Sequence, residues 1–346
     1  MSLTEKVLAQ VRARSPLRVR PEPPLPALTP TWADASVRRI AAALDRAQQR
    51  DAGGWFVVGR SSDVPDGPRA ESITRVVAGR EIALWRGSDG RLHAGPGACP
   101  HMGALLERCP VVGETVLCRW HGMALADGRH GYREHPAYDD GVLAWVRLPT
   151  SGETPAPTPR LTQRPDPERT IAAVYVGRMR CEPADVIANR LDPWHGAWFH
   201  PYAFSHLTVD ESASDADRLV LDVTFRLGRT FGVPVRASFH TPDSRTIVMT
   251  ILDGEGTGSV VETHATPLGT DRDGAAITVL TEATIATSDR LGFRMLRPAA
   301  RLVRPLIVRT AAGLWRDDQD YAERRYAVRR SAMRRAEGGV GKERRG

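Results

Sequence analysis

The sequence predicts an α+β protein made of a small all-β domain followed by a larger domain of antiparallel sheet and helices. Three observations point there. Residues 53–150 carry short β-rich runs separated by Gly and Pro turns. Residues 170–330 carry longer runs that alternate β-branched with polar residues, bracketed by helical stretches and without βαβ alternation. A Pro- and Thr-rich stretch, 151–169, separates the two, and 346 residues suffice for two domains with real cores.

In chain order, residues 1–52 are a lead-in. Met1–Ala9 is of mixed charge and lacks an apolar core, so no secretory signal is expected. Pro16–Pro30 reads as an extended linker, and Ser36–Gln49 has helical spacing with Val37, Ile40, Ala41 and Leu44 on one face. In the first domain, strands are expected at Trp55–Val58, Ile73–Val77, Glu81–Trp85, Val116–Cys118 and Leu143–Leu148. Asp89-Gly90 and Asp127-Gly128 read as hairpin-type turns. The second domain opens with a strand at Thr170–Val176 and a helix at Glu182–His200, with Pro183 suited to its first turn. Strands follow at Leu219–Leu227, Val235–His240, Thr246–Leu252, Ser259–Pro267 and Ala275–Ala286. A last helix is expected from about Leu291, and residues 331–346 form a basic tail.

The net charge of +7 is unevenly spread: Tyr321–Gly346 holds nine basic and three acidic residues, a net of +6. Such a tail can bind nucleic acid, but no base-reading module or aromatic stacking platform accompanies it. The plainer reading is a solvated helix end, with no nucleic-acid partner. Arg290, Arg294, Arg297, Arg301 and Arg304 recur at spacings of 4, 3, 4 and 3 among Leu291, Phe293, Met295, Leu296, Leu302 and Leu306. This stretch, broken by Pro298 and Pro305, reads either as an ordinary helix with an Arg face to water or as a peripheral contact with the inner membrane face. No run of about 18 uncharged apolar residues occurs, so a spanning helix is not expected, and the location expected is cytoplasmic.

Two ligand patterns carry the chemistry. The first is Cys99-Pro100-His101 followed by Cys118-Arg119-Trp120-His121. Two thiolates and two imidazoles in Cys–His pairs suit a [2Fe–2S] cluster in which Cys99 and Cys118 hold one iron and His101 and His121 the other. Imidazole ligation raises the reduction potential of such a cluster. Zinc is the competing reading, but a zinc finger pairs Cys with Cys and His with His. Gly103 and Gly122 are expected to allow close backbone approach. The remaining cysteines, Cys109 and Cys181, are expected to be free buried thiols.

The second pattern is Asn189-x-x-Asp192-x-x-His195-x-x-x-x-His200. Two neutral imidazoles plus one carboxylate suit a mononuclear Fe(II) with open positions for O₂. His195 and His200 are five apart, so a regular helix does not bring them together, and Gly196-Ala197 offers room for distortion. Asp192 lies one turn before His195. Downstream, the acidic cluster is Asp317-Asp318-Gln319-Asp320. His93, His130, His135, His206, His240 and His264 have no ligand spacing and read as structural, with His240 and His264 candidates to face a pocket. Trp194, Trp198, Phe199, Phe204 and Phe231 are candidate pocket residues.

Together the two patterns, over roughly residues 53–330, resemble the catalytic (alpha) subunit of Rieske-type non-haem iron oxygenases. The resemblance implies a Rieske domain at 53–150 and a helix-grip catalytic domain at 170–330. Arg119 and Met123 stand where family members commonly have Pro and Trp, and Ala104 and Trp120 stand about where a bracing disulfide would lie in the respiratory branch. The resemblance implies Asp318 as third iron ligand beside His195 and His200, since Asp318 followed by Glu323 fits the family's frame best; Asp317 and Asp320 remain open. It also implies that Asp192 carries electrons between one subunit's cluster and the next subunit's iron, in a trimer. The implied function is a terminal oxygenase component that hydroxylates, dihydroxylates or oxidatively dealkylates a hydrophobic small molecule with O₂. No flavin or nicotinamide fingerprint occurs, so NAD(P)H would act only through a separate reductase or ferredoxin. The alternative is a Rieske electron carrier whose C-terminal domain binds a ligand or partner without catalysis.

Overall fold

A computed structural model describes residues 18–19, 30–227 and 231–343, with side chains described for 30–227 and 231–335. Met1–Ala9, most of Pro16–Pro30 and the tail side chains beyond 335 lie outside the described residues. Strand β1 is Arg18–Val19 and helix α1 is Val37–Gln48, capped by the Ser36 hydroxyl, which accepts from the Arg39 amide.

The first domain consists of three small antiparallel sheets. Strands β2 (Trp55–Arg60), β3 (Ile73–Val77), β4 (Arg80–Arg86), β5 (Leu92–Pro96), β6 (Val111–Val112), β7 (Thr115–Leu117), β8 (Ala124–Leu125), β9 (Ala137–Asp139) and β10 (Leu143–Arg147) pair as β2-β10-β9, β3-β4-β5 and β6-β7-β8. Asp89-Gly90 turns the β4–β5 hairpin, with Gly90 at φ 76°. Asp127-Gly128 turns the chain but leads into a 3₁₀ turn at Arg129–Gly131, and no paired strand follows directly. Strands β5, β6, β8 and β9 are too short or too mixed to read from periodicity.

The second domain opens with β11 (Thr170–Met179), then α2 (Pro183–Arg190) and α3 (His195–Phe199). The continuous helix expected over Glu182–His200 is interrupted at Leu191–Trp194, where Pro193 cannot donate into a helical ladder. Strands β12 (Phe204–Val209), β13 (Arg218–Leu227), β14 (Phe231–Asp243), β15 (Thr246–Gly254), β16 (Val260–Thr270) and β17 (Ala276–Thr287) form an antiparallel meander. Strand β11 closes it beside β17, and β1 adds to the start of β14. Helix α4 (Leu291–Leu296) and a 3₁₀ turn lead to α5 (Ala300–Glu343), whose Trp315, Ala322 and Tyr326 pack with Met179, Val186 and Leu280. The sheet and α5 thus enclose a core, as the helix-grip expectation requires.

The lead-in helix belongs to this second core. Leu44 and Ala47 pack on Ile187, Ala188 and Leu191 of the α2 region and on Ile247.

The two domains share a further buried cluster: Trp55, Val57, Leu143 and Trp145 against Val174, Ala283 and Ile285. Polar ties fix their register. The turn Ala78-Gly79 sits at positive φ (49° and 76°) and donates both amides to the Pro267 and Leu268 carbonyls of β16. Arg245 donates to the Trp55 carbonyl at 3.0 Å and to Glu153, with its guanidinium 4.1 Å over the Phe56 ring. Arg164, in the connecting segment, pairs with Asp140 at 2.8 Å and with Glu262 at 2.6 Å. His264 faces this junction: it stacks edge-on to Trp145 and contacts Glu262 and Thr246.

Burial by itself would raise the Glu262 carboxyl, but the bonds and charges of Arg164 and His264 outweigh it and hold it down at about 2. Replacing Arg164 by Met strands two buried carboxylates and should cost about 3–5 kcal/mol in denaturant unfolding at pH 7. The Glu262 contribution is complete above its ordinary pKa of 4.5 and fades as the pH falls through about 2. The gap between wild type and Arg164→Met should therefore narrow across that window, and an acid-independent gap would contradict the assignment.

Candidate metal centres

The two loops that carry the first ligand pattern are backbone twins. Cys99 donates its amide to the Ala104 carbonyl, and Gly103 donates to the Cys99 carbonyl. Cys118 donates likewise to Met123, and Gly122 to Cys118. Each loop turns at a glycine in the left-handed region, Gly103 at φ 73° and Gly122 at φ 71°. A Cβ at either position would meet no protein atom within 4 Å, so the glycines are required by backbone conformation and not by close approach within the chain.

This geometry buries Cys99 and Cys118 against Leu106, Val116 and Leu125, while His101 and His121 stay exposed with ring centroids 4.9 Å apart. Burial is the main cause that pushes the Cys99 thiol up, and neighbouring Cys118 adds to it. A buried thiol pushed up in this way needs an adjacent cation to become a thiolate, and two exposed imidazoles stand on the outer side of the cysteine pair. The donor set fits a [2Fe–2S] cluster with its histidine edge toward solvent. Met123 sits with Sδ 3.9 Å from Cys99 Sγ. Cys109 and Cys181 are buried free thiols, and all four cysteines are unbridged.

The second pattern converges with a residue over a hundred positions away. His195 Nε2 lies 3.1 Å and His200 Nε2 3.0 Å from the same oxygen, Asp318 Oδ1. Asn189 Nδ2 donates to that oxygen at 3.0 Å. Imidazoles five residues apart meet because His200 leaves the helix (φ −117°, ψ 56°). The distortion falls at the end of α3; at Gly196 a Cβ would stand 3.0 Å from Leu207, so this glycine lets β12 approach. His195, His200 and Asp318 place one ligand atom each within 4.8 Å of one another. Burial would raise the Asp318 carboxyl, but the two imidazoles hold it far below the usual range, so it is an anion. Two imidazoles and one carboxylate in this convergence fit a mononuclear iron.

Outer partners orient the ligands. His195 donates from Nδ1 to the Asp192 carbonyl, which turns Nε2 toward Asp318. His200 Nδ1 lies 3.3 Å from Asp317, which also accepts from the Tyr202 hydroxyl at 2.7 Å. Asp317, left open as a ligand from sequence, thus braces one; Asp320 is exposed. Asp192 is buried, accepts from the Tyr321 hydroxyl at 3.2 Å, and leaves its Oδ1 without a partner among the described residues. Asp185 is fully buried and pairs with Arg325 and Arg329, pinning α2 to α5. Those two arginines are therefore structural, unlike the solvated end expected of the tail. Glu323 accepts from the Arg180 amide at 2.8 Å. Tyr202, Tyr321 and Asp185 escaped sequence reasoning because their partners lie over a hundred residues away.

Beside the triad is a cavity of about 370 Å³ with mainly apolar walls, among them Phe204, Leu221, Phe239, Met249, Ile251 and Val261. Of the aromatic residues expected to line a pocket, only Phe204 does so among the described residues; Phe199 packs edgewise on His195, Trp194 lies under Arg39, and Trp198 and Phe231 are exposed. His240 lies outside this cavity. Besides Asp192 and Asp318, two more charged residues line it: Glu282, buried and raised by that burial, and Arg190, which is stacked on Phe239 and Trp315 and 3.8 Å from Glu282.

The architecture and the two ligand sets resemble those of Rieske-type non-haem iron oxygenase alpha subunits. The Rieske [2Fe-2S] domain family matches residues 54–143. A second family, described as a domain of unknown function (DUF5914), matches residues 150–333, and the chain belongs to it. Among curated proteins, the oxygenase component of chloroacetanilide N-alkylformylase from Rhizorhabdus wittichii (strain DC-6 / KACC 16600) is 35% identical over 96 residues, 28% of this chain and 26% of that protein. The oxygenase component of 3-ketosteroid-9-alpha-monooxygenase from Rhodococcus rhodochrous is 28% identical over 108 residues, 30% of this chain and 28% of that protein. The matches thus span little more than a quarter of these relatives. The dicamba-bound structure of dicamba monooxygenase shares the fold with a TM-score of 0.56 at 16% identity, covering 83% of this chain and 90% of that one. The oxygenase–ferredoxin complex of carbazole 1,9a-dioxygenase does so at 0.51 and 14%, covering 83% and 84%.

The Asp185 clamp yields a test. Asp185→Asn should weaken Fe(II) binding by about 10–100-fold in anaerobic titration, through displacement of Asn189 and His195 from Asp318. The visible absorption of the cluster, seated in the other domain, should not change.

Proposed function

We propose that this chain is the terminal oxygenase component of a multicomponent system. The observation that carries the reading is the convergence of His195, His200 and Asp318 at the wall of an apolar cavity, in a chain that also bears a Rieske domain. Cys99, His101, Cys118 and His121 would hold the [2Fe–2S] cluster, and His195, His200 and Asp318 the Fe(II); when bound, these groups supply single electrons and O₂ activation.

The chain's own residues do the rest. The apolar walls select a hydrophobic small molecule and exclude water beside the triad. Arg190 and Glu282 are the polar groups that would orient it. Asn189 fixes the Asp318 carboxylate, while the Asp192 carbonyl and Asp317 fix the two imidazoles. The cluster's exposed histidine edge suits docking of a separate ferredoxin or reductase, which would bring electrons from NAD(P)H. The buried Asp192 Oδ1, without a partner among the described residues, suits a donor from a second subunit, in line with a homo-trimer in which Asp192 links one subunit's cluster to the next subunit's iron. We assign the protein to the cytoplasm; among the described residues no helix is long and apolar enough to cross a membrane.

A Rieske electron carrier with a ligand-binding C-terminal domain is the rival reading, and iron content separates the two. Anaerobically purified wild type should hold about three Fe and two sulfides per chain, and His195→Ala/His200→Ala about two Fe with an intact cluster spectrum. Two Fe in both proteins would leave only a carrier. Asp192→Asn should keep all the iron yet slow reoxidation of the reduced cluster by O₂ about 10–100-fold.

A further inference from the structure

The first buried residue of helix α5 is Ala311. From Leu291 to Thr310, through α4 and the first turns of α5, no residue is buried. Large aliphatic side chains stand out along this stretch: Leu291 is 71% exposed, Met295 70%, Leu302 72% and Leu306 65%. Leu302 and Leu306 lie one turn apart and outside the cavity of the metal centre, which Ile307, Ala311 and Leu314 of the same helix line. Soluble surfaces rarely group so many exposed aliphatic residues without a partner for them.

The charge decides which partner. Arg294, Arg297, Arg301, Arg304 and Arg309 make no ion pair among the described residues; Arg290, by contrast, is bound to Glu255. Asp289 is the one acid between Ser288 and Thr310, and Arg169 occupies it. A two-fold contact with a second copy of the chain would bring the same positive charge to the face and repel it. An acyl surface beneath anionic headgroups satisfies both features: the leucines and Met295 enter the acyl boundary, while the arginine stems lie along it and their heads reach phosphate.

We propose that residues 291–309 form a docking surface for an anionic lipid bilayer, so that the segment that walls the cavity also rests on the membrane. This makes the bilayer the source from which a lipophilic substrate enters, a consequence that rests on the oxygenase reading; the docking itself does not.

The test is co-sedimentation of the full-length protein with vesicles of phosphatidylcholine alone or with about 30% phosphatidylglycerol. Wild type should bind the anionic vesicles at least about tenfold more tightly than the neutral ones, and added salt should weaken that binding. Arg297→Glu/Arg301→Glu should lower anionic binding at least about tenfold, and Leu302→Ser/Leu306→Ser should lower it comparably with circular dichroism unchanged. Equal binding by wild type and both variants overturns the proposal, as does no binding at all. A loss of self-association in the leucine variant without any vesicle binding gives the face to a second copy and overturns it too. Iron content plays no part in the readout, so its failure leaves the oxygenase proposal standing.

Discussion

One carboxylate oxygen ties the second domain together. Asp318 Oδ1 is approached by the His195 and His200 imidazoles and by the Asn189 amide. An ionised carboxylate this deep is tolerable only with donors or a cation around it. Its partners therefore have to arrive from α2, from α3 and from the residue after α3. That requirement explains the break after α2, the departure of His200 from helical geometry, and the burial of Asp185 between two arginines of α5. Each holds a segment of the ligand set against the helix that carries Asp318.

The junction between the domains follows a similar logic. A shared apolar cluster supplies area, and buried ion pairs supply register. Buried pairs add little net stability compared with apolar packing, but they are costly to break and so disfavour other docking arrangements. Arg164 touches both domains from the connecting segment, which is thereby held in place although it has no strand or long helix of its own. The two ligand loops lie outside this junction, which leaves His101 and His121 exposed.

Much of the fold was legible. The short β runs of the first domain and the alternating runs of the sheet were read nearly in place, because period-two alternation survives in a sheet with one buried face. Strands of two or three residues such as β6, β8 and β9 leave no mark in the sequence, since so few residues define no period. The helix expected over 182–200 is too long: the five-residue spacing of His195 and His200 conflicts with helical geometry, and Pro193 marks the break. The tail arginines Arg325 and Arg329 read as solvated because nothing near them in sequence announces Asp185.

The sequence by itself determined the chemistry of both centres. Cys–His pairs and the His195/His200 pattern are local, and ligand type together with short spacing restricts the metals that fit. The resemblance favours Asp318 among the acids of Asp317-Asp318-Gln319-Asp320, but only the packing of α5 brings its carboxylate to the imidazoles, because neighbouring helical positions differ by about 100° in direction. Tertiary structure also decided that Asp317 braces His200, that Arg190 and Glu282 enter the cavity wall, and that residues 291–309 stand uncovered. Such facts depend on contacts between segments a hundred residues apart, where spacing along the chain carries no information about distance.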